Sequence, residues 1–421
     1  MIPVGQLLFT VGVRRAGGKT VAPSSAGRPA CPSAGASSFV MLAYTLMLAA
    51  TSTGAYASVF VVLFGWDRWL AILVGGLIVL IYSVLGGMWS ITLADAAQFL
   101  IMTVGLFPLM LPLSLSQAGG WSGLTDRLDA EFFSVGGMGL QSIVTMFVIY
   151  TLGLLIGQDI WQRVFTACSP EVARLGGAAA GIYCIVFGIA GAIIGMAARA
   201  VTADIENKVD VFTWVAQHML PVGVGGVALA AAVAAMMSTA SGATIAAATV
   251  MREDILPALK GRRPGSAEAD VAAELDAPVS GEDVGGNRAG VLGLGRVALV
   301  IAIQVPDVVA ALTIAYDILV GGLLVAILGG LLWPRGTGAG AMWSMVAGTL
   351  GTLGTMAYLE ANAEAPFDGV YANEPIYVGL AASAVVYVAV SLLTPRTDPA
   401  VLEAWRVRSR HGVDAAARER L

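Results

Sequence analysis

The sequence has few charged residues and few of the groups that catalyse reactions. Only 12% of its 421 residues are Asp, Glu, Lys or Arg, whereas soluble globular domains carry about 25%. Its two histidines and three cysteines show no metal-binding or disulfide spacing, and it has no Gly-rich phosphate loop ending in Lys-Ser/Thr. The net charge of −5 comes without a basic stripe, so nucleic acid is not an expected partner. These absences argue against a soluble protein, a hydrolase and a metalloenzyme.

Apolar residues make up 57% of the chain, and its mean hydropathy is +0.81. They form runs that repeatedly reach the roughly 20 residues that a helix needs to cross a bilayer. Since backbone groups in lipid must bond within their own segment, and these runs lack the alternation of barrel strands, we predict helices. The fold class is therefore an all-α integral membrane protein with about ten transmembrane helices. They are expected at residues 38–64, 69–92, 96–117, 139–161, 175–199, 221–250, 289–305, 308–333, 340–358 and 374–394.

The basic residues predict the orientation, because short cytoplasmic loops collect Lys and Arg. If the segment before the first helix is cytoplasmic, eighteen of the 23 Lys and Arg lie inside, and ten spans return the C-terminus to the cytoplasm. We predict a multi-pass protein of the cytoplasmic cell membrane. Its segments are expected to be a helix remnant plus a flexible cytoplasmic loop (1–37), the helical bundle (38–394) with a flexible cytoplasmic loop inside it (253–287), and a cytoplasmic tail (395–421).

Polar groups inside apolar helices are functional candidates, because burying them in lipid is costly. Asp317 lies near the centre of the predicted helix 308–333, where it could contact an ion, a proton path or a cationic solute, or be a protonated acid bonded to another helix. Ser238, Thr239 and Ser241 form the richest polar cluster, which could ligate a hard cation or join two helices. Asp95 could line a cation pathway or be a helix N-cap. The residues alone leave these alternatives open.

Four stretches carry a resemblance to a known family. They are Tyr-Ser-Val-Leu-Gly-Gly…Thr-Leu-Ala-Asp-Ala-Ala-Gln (82–98), Gln-Asp-Ile-Trp-Gln-Arg (158–163), Ala-Ala-Met-Met-Ser-Thr (234–239) and Trp333 to Gly340. These resemble, in order and spacing, the signatures of the sodium/solute symporter family, which includes proline, pantothenate and sugar carriers. The third stretch is similar to the family's sodium motif. The resemblance extends over roughly residues 80–390.

The resemblance implies the inverted-repeat, LeuT-like transporter fold, with ion and solute bound near the middle of the membrane. By position, sodium would be bound by the carbonyl of Ala235 and the hydroxyls of Ser238 and Thr239, and Asp95 would mark its exit to the cytoplasm. Candidates for the substrate cavity, also implied by position, are Tyr150, Thr151, Gln158, Tyr316 and Asp317.

The implied function is sodium-coupled symport of a small organic solute, not an enzymatic activity. Sodium would be the coupling ion, no other cofactor is expected, and the partners would be the solute, sodium and the lipid bilayer. The family's first core helix has no counterpart here, because only Met1–Val13 precede the loop containing Arg14 and Arg15. We therefore expect an N-terminally truncated chain with an incomplete first repeat. The alternative is a truncated, non-transporting or sensory relative that binds solute or ion without transport.

Overall fold

The computed structural model describes residues 32–397, except residues 135, 138, 166, 203–204, 206–209, 260–280 and 306. The predicted helix remnant, most of the loop 253–287 and nearly all of the C-terminal tail lie outside the described residues. Within them the chain is helical and contains no strand, so the prediction of an all-α protein is confirmed.

Seventeen α-helices occur in the described residues, and several are joined by single π-helical turns. In chain order they are α1 (Pro32–Phe64), α2 (Arg68–Val104), α3 (Leu111–Gln117), α4 (Gly120–Arg127), α5 (Leu140–Met146), α6 (Leu152–Ile156), α7 (Gln158–Phe165), α8 (Pro170–Val201), α9 (Val211–His218), α10 (Val222–Val250), α11 (Leu256–Leu259), α12 (Gly281–Gln304), α13 (Val308–Leu319), α14 (Val325–Leu332), α15 (Gly338–Ala361), α16 (Asp368–Tyr371) and α17 (Glu374–Leu393). The π-helical turns are Gly105–Met110, Phe147–Thr151, Met251–Ile255 and Val320–Leu324.

Two predicted spans, 69–92 and 96–117, fall in one helical segment, because α2 continues through positions 86–90, where only the backbone is described. Tyr82 donates a hydrogen bond to the carbonyl of Met237, and Asp95 accepts one from the neighbouring Ser238. Side chains from both predicted spans therefore contact adjacent residues of α10.

By length and apolar composition, seven helices among the described residues could each cross a membrane, and one bent pair could form an eighth span. The bent pair is Leu140–Ile156 with Gln158–Val164, which meet at 43°. The predicted spans 289–305 and 340–358 are helical in α12 and α15, but they are not among those that meet both criteria. All ten predicted segments are thus helical, and a multi-span membrane protein is supported.

Helical structure also extends into predicted loops. The π-helical turn Met251–Ile255 and α11 occupy the start of the predicted flexible loop 253–287, and α12 begins at Gly281, before that loop was expected to end. Likewise α1 begins at Pro32, six residues before its predicted start. The loops were predicted from their small and polar residues, and that composition did not prevent these ends from being helical.

Small residues allow the helices after α13 to pack closely. A side chain added at Gly348 in α15 would overlap the carbonyl oxygen of Gly321, and one added at Gly379 in α17 would overlap the hydroxyl of Thr352. In membranes, where lipid is as apolar as the helices, such close backbone contact is a main source of association energy. The π-helical turn Val320–Leu324, which directly follows α13 with Tyr316 and Asp317, is thus packed against α15.

Candidate functional site

The three predicted sodium ligands lie within little more than one turn of α10. The hydroxyl of Thr239 donates to the carbonyl oxygen of Ala235 at 3.3 Å, and the hydroxyl of Ser238 donates to Asp95 Oδ1 at 2.6 Å. Ser241 in turn donates to the carbonyl of Ser238 at 3.0 Å. The structure thus brings Asp95 to the predicted sodium motif, although 143 residues separate it from Ser238.

Asp95 forms an ion pair with Arg163 of α7. Arg163 Nη2 lies 3.0 Å from Asp95 Oδ2, and the two side chains are 41% and 23% exposed. The carboxylate therefore receives one hydrogen bond from a hydroxyl and one from a cation. The alternative interpretation of Asp95 as a helix N-cap is wrong, because α2 extends well to either side of it.

Gly242 makes room for the Arg163 guanidinium. A Cβ atom at position 242 would lie 2.7 Å from Arg163 Nη2 and 3.1 Å from Nη1, closer than such atoms can approach without displacement. The absence of a side chain at position 242 thus lets Arg163 lie against α10 and reach Asp95.

A cavity of about 480 Å³ opens beside this ion pair. Its polar lining includes Asp95, Asp159, Gln162 and Arg163, and its wall also contains Gly242. Small-molecule sites in proteins have volumes of about 300–1,000 Å³. The formal charge of the lining is −1, because it holds two carboxylates and one guanidinium.

Asp159 reaches the cavity because the predicted helix 139–161 is broken. Gly157 has an extended backbone (φ −65°, ψ 129°) between α6 and α7, and the indole of Trp161 donates to the carbonyl of Leu155 at 2.9 Å, across the break. Asp159 then lies in the first turn of α7, and its Oδ1 accepts a hydrogen bond of 3.1 Å from the hydroxyl of Tyr44 in α1.

Three tyrosines, Tyr44, Tyr150 and Tyr316, form an aromatic group beside Asp159. The ring of Tyr316 makes edge-to-face contacts with Tyr44 at 5.5 Å and with Tyr150 at 5.3 Å between ring centres. A side chain at Gly153 would overlap the Tyr316 ring, so this glycine lets α13 approach α6. The group connects α1, the bent span and α13.

The structure brings some of the predicted cavity residues together and not others. Tyr150 and Tyr316 touch, and Gln158 is fully buried at the helix break. Thr151 ends the π-helical turn Phe147–Thr151 and is partly buried. Asp317 is only 1% exposed, and neither of its carboxylate oxygens has a hydrogen-bond partner among the described residues. None of these five residues lines the 480 Å³ cavity.

Four residues of the site were not predicted as site residues from the sequence: Tyr44, Asp159, Arg163 and Gly242. Asp159 could have been found, because it is an ionisable residue inside a predicted span, which is a functional candidate by default. Arg163 ends the stretch 158–163 that resembles the family, but the sequence gives it no role in the site. Tyr44 and Gly242 carry no signal that distinguishes them from ordinary core residues.

The stretch from Trp333 to Gly340 joins the ends of three helices. Arg335 donates to the carbonyls of Leu392 and Thr394 at 3.1 and 3.0 Å, at the C-terminal end of α17. Thr337 is the N-cap of α15, since its hydroxyl accepts from the amide of Gly340 at 3.1 Å. The Trp333 ring lies 5.8 Å from that of Tyr387. These contacts explain this motif as structural.

A bundle of apolar helices with a broken span and a polar cluster on α10 defines a multi-pass membrane protein of the helical transporter class. The sequence profile described as "Sodium:solute symporter family" matches residues 33–348. The chain belongs to the sodium:solute symporter family, whose members are secondary transporters and not enzymes.

Two curated relatives illustrate the range of the family. The sodium/proline symporter of Staphylococcus aureus is 25% identical over 347 residues, which cover 79% of this chain and 64% of that protein. The high affinity choline transporter 1 of Homo sapiens is 23% identical over 205 residues, covering 45% of this chain and 35% of that protein. The chain thus matches less than two thirds of the length of either relative.

A solved structure has a similar fold. It is described as the substrate-bound outward-open state of a Na+-coupled sialic acid symporter that reveals a novel Na+-site. It matches with a TM-score of 0.72 and 14% sequence identity, over 94% of this chain and 84% of that chain. This likeness confirms the prediction of a LeuT-like transporter fold.

Proposed function

We propose that the protein is a sodium-coupled secondary symporter that moves a small organic solute across the cytoplasmic membrane. The observation that carries the proposal is the Asp95–Ser238 hydrogen bond of 2.6 Å, which joins the predicted exit residue to the predicted sodium motif. Family membership supports it, since the matched profile is that of sodium:solute symporters.

Sodium is expected to bind at the carbonyl of Ala235 and the hydroxyls of Ser238 and Thr239. Their oxygen atoms suit a hard cation, which prefers several neutral or anionic oxygens. The ion would then leave by way of the Asp95 carboxylate and the 480 Å³ cavity. Because Arg163 already pairs with Asp95, sodium reaching Asp95 has to compete with this side chain.

The solute is expected to be small, as are proline, choline and sialic acid, which give the relatives and the structural neighbour their names. We propose Tyr150, Thr151, Gln158, Tyr316 and Asp317 as residues of the substrate cavity. Tyr150 of the bent span contacts Tyr316 of α13, which supports a substrate cavity formed by these two elements. We also propose that the C-terminus is cytoplasmic, because most Lys and Arg then lie on the cytoplasmic side. The division into a helical bundle (38–394), flexible loops and a tail (395–421) is part of the same proposal.

The test uses the purified full chain in lipid nanodiscs, with potassium chloride holding the ionic strength constant. Sodium chloride is expected to raise the melting temperature saturably, because an ion that binds only the folded state stabilises it. The double variant Ser238→Ala with Thr239→Ala should lose this response. Thr244→Ala is the matched control, because its hydroxyl lies on the same helix and, within the described residues, bonds to the carbonyl of Ala240 in that helix. A sodium response that survives in the double variant would refute the site.

Transport is measured in proteoliposomes with an imposed sodium gradient. Uptake of labelled proline, choline or sialic acid, or of labelled sodium in exchange, should depend on that gradient and fall in the double variant. If the wild-type chain binds sodium but carries no sodium across the bilayer under any of these conditions, symport by this chain is excluded.

A further inference from the structure

The outer loop (residues 362–373) joins α15 to α17 and contains the short helix α16. The distribution of Lys and Arg predicts that it lies outside the cell. Glu360, at the end of α15, holds this loop, because its two carboxylate oxygens accept hydrogen bonds from the amides of Phe367 and Gly369 at 2.7 and 3.0 Å. A side chain at Gly369 would overlap the backbone of Glu360. The outer loop is thus a fixed element attached to α15.

The backbone of the outer loop is constrained at Phe367. This residue has a φ of 71° and is the only non-glycine with a positive φ in the described part of the chain. Such a conformation is costly for a residue with a Cβ atom and persists where its surroundings enforce it. Phe367 packs against an apolar cluster formed by Ala310, Met356 and Val370. Because Ala310 lies in the first turn of α13, the apolar side of the loop covers the outer end of that helix.

Tyr371 ties the outer loop to α13 by a hydrogen bond. Its hydroxyl donates to Asp307 Oδ2 at 2.9 Å. Oδ1 of the same carboxylate accepts from the amides of Val309 and Ala310, each at 2.9 Å. One carboxylate therefore caps α13 and also holds the tyrosine. Tyr371 is 38% exposed, so this bond lies at the surface of the bundle.

The outer loop also borders the bent span. Burial, the hydrogen bond to Asp307 and the negative charges that Asp307 and Tyr150 can carry raise the pKa of Tyr371, so Tyr150 of the bent span lies within electrostatic range of it. Directly after the loop, the hydroxyls of Tyr377 in α17 and Thr145 in α5 are 3.0 Å apart and hydrogen-bonded. Tyr371 therefore lies where α13 and the bent span meet.

One face of α13 is directed at the bent span. A Cβ atom at Gly153 would overlap the ring of Tyr316 and lie 3.4 Å from Val320 Cγ2. Thr313 is on the same face, about one turn nearer to the outer end. It is 9% exposed, and its hydroxyl bonds to the carbonyl of Val309 in its own helix. A solute that enters between α13 and the bent span would pass Thr313 before it reaches Tyr316.

We propose that the outer loop is a lid over the outer end of the solute path, held closed in this structure by the hydrogen bond from Tyr371 to Asp307. This inference rests on the proposed symport function and adds the element that controls access from outside. Opening would break this hydrogen bond, while Glu360 keeps the other end of the loop attached to α15. The path uncovered in this way runs between α13 and the bent span.

The test measures how fast a water-soluble maleimide labels a cysteine under the lid, in the purified full chain in nanodiscs. Thr313→Cys supplies the probe after Ser has replaced the native cysteines, Cys31, Cys168 and Cys184. Tyr371→Phe removes the hydroxyl and keeps the ring. It should raise the labelling rate about tenfold, because a hydrogen bond to a charged group is strong enough to change an equilibrium by this factor.

A second variant and two controls separate the lid from a general loss of stability. Asp307→Asn keeps a good N-cap but weakens the bond to Tyr371, so it should raise the labelling rate by a smaller factor. Tyr358→Phe alters an exposed ring on α15 and should have no effect. Ala197→Cys places a probe in a fully buried position of α8, in a cluster formed by other helices. Its labelling rate should be the same with and without Tyr371→Phe.

Equal labelling of Thr313→Cys with and without Tyr371→Phe would refute the lid. An equal rise at Ala197→Cys would also refute it, since the whole bundle would then be looser. Should Tyr371→Phe not fold, an unchanged labelling rate in Asp307→Asn would overturn the inference.

The sodium titration of melting temperature in the same protein separates this inference from the proposed function. If sodium stabilises the protein but Tyr371→Phe does not change the labelling, the lid is wrong and symport stands. If the labelling responds as expected but sodium has no effect, the lid stands as a control of access to the bundle and sodium coupling fails.

Discussion

Replacement of Gly242 by Ala tests whether Arg163 competes with sodium for Asp95. The new Cβ atom would lie 2.7 Å from Arg163 Nη2 and 3.3 Å from Cζ, so the guanidinium has to move. Arg163 is a flexible side chain, and its movement costs little because it is 41% exposed. The Nη2 atom that moves is the one that lies 3.0 Å from Asp95, and the substitution is therefore expected to break or lengthen the ion pair.

The size of the effect follows from the exposure of the pair. Partly exposed ion pairs contribute about 0.2–1 kcal/mol, and both partners here are accessible from the cavity. Removal of a competitor worth about 0.2–1 kcal/mol should raise the affinity of Asp95 and Ser238 for sodium by up to about fivefold, since 1.4 kcal/mol is tenfold. The sodium concentration at half-maximal stabilisation should fall by the same factor.

The assay is the sodium titration of melting temperature in nanodiscs at constant ionic strength. Ala for Gly also raises helix propensity by about 1 kcal/mol, so a matched control is needed. Gly226 lies on the same helix with no atom within 4 Å of an added Cβ, and Gly226→Ala should change stability without changing the sodium midpoint. Equal sodium midpoints in Gly242→Ala and Gly226→Ala would refute the competition.

Three further predictions concern other parts of the structure. Thr337→Ala removes the N-cap of α15 and the hydroxyl contact with Thr394 of 2.8 Å, so the free energy of unfolding should fall by about 1 kcal/mol; an unchanged melting temperature relative to Thr355→Ala would contradict this. Asp317→Leu removes two buried carboxylate oxygens that have no hydrogen-bond partner in the described part of the chain. The variant should therefore be more stable without solute by about 1–3 kcal/mol, and its solute uptake should be lower. A loss of stability would show that the carboxyl group has a partner. Burial and the hydrogen bond to Asp307 raise the pKa of Tyr371, so the folded state holds the phenol proton more tightly than the unfolded state does. The contribution of this proton to stability is therefore complete below the usual tyrosine pKa of about 10 and declines above it. Tyr371→Phe should reduce this alkaline decline in unfolding experiments, and an identical pH profile in the variant would contradict the assignment.

The helices could be predicted almost entirely from composition, because lipid leaves an apolar segment of about 20 residues no other spanning structure. What composition did not predict is the break at Gly157. Gly157 is followed by the polar residues Gln158 and Asp159, but a single Gly within a helix is common in membranes, so the sequence does not show that the helix breaks there. The bend is accompanied by a local hydrogen bond from the Trp161 indole to Leu155 and by a tertiary one from Tyr44 to Asp159, and no local pattern encodes the second.

Some residues of the candidate site could be predicted from the sequence, and others could not. Ala235, Ser238 and Thr239 could be identified from one motif that resembles the family, and Asp95 from another. The hydrogen bond of 2.6 Å from the Ser238 hydroxyl to Asp95 Oδ1 agrees with that resemblance. Gly242 has no chemistry of its own, and its importance follows only from the guanidinium that lies against it. Arg163 belongs to a stretch that resembles the family, 158–163, but no sequence pattern identifies Asp95 as the partner of its charge.

The charges around the cavity link the proposed sodium exit to the bent span. Arg163 pairs with Asp95 at 3.0 Å and donates to the backbone carbonyl of Asp159 at 3.2 Å. Sodium would therefore reach Asp95 only at the expense of an internal cation. An arginine released from Asp95 would remain within one helical turn of Asp159, so the arrival of sodium at its exit would change the contacts of α7, the second half of the bent span.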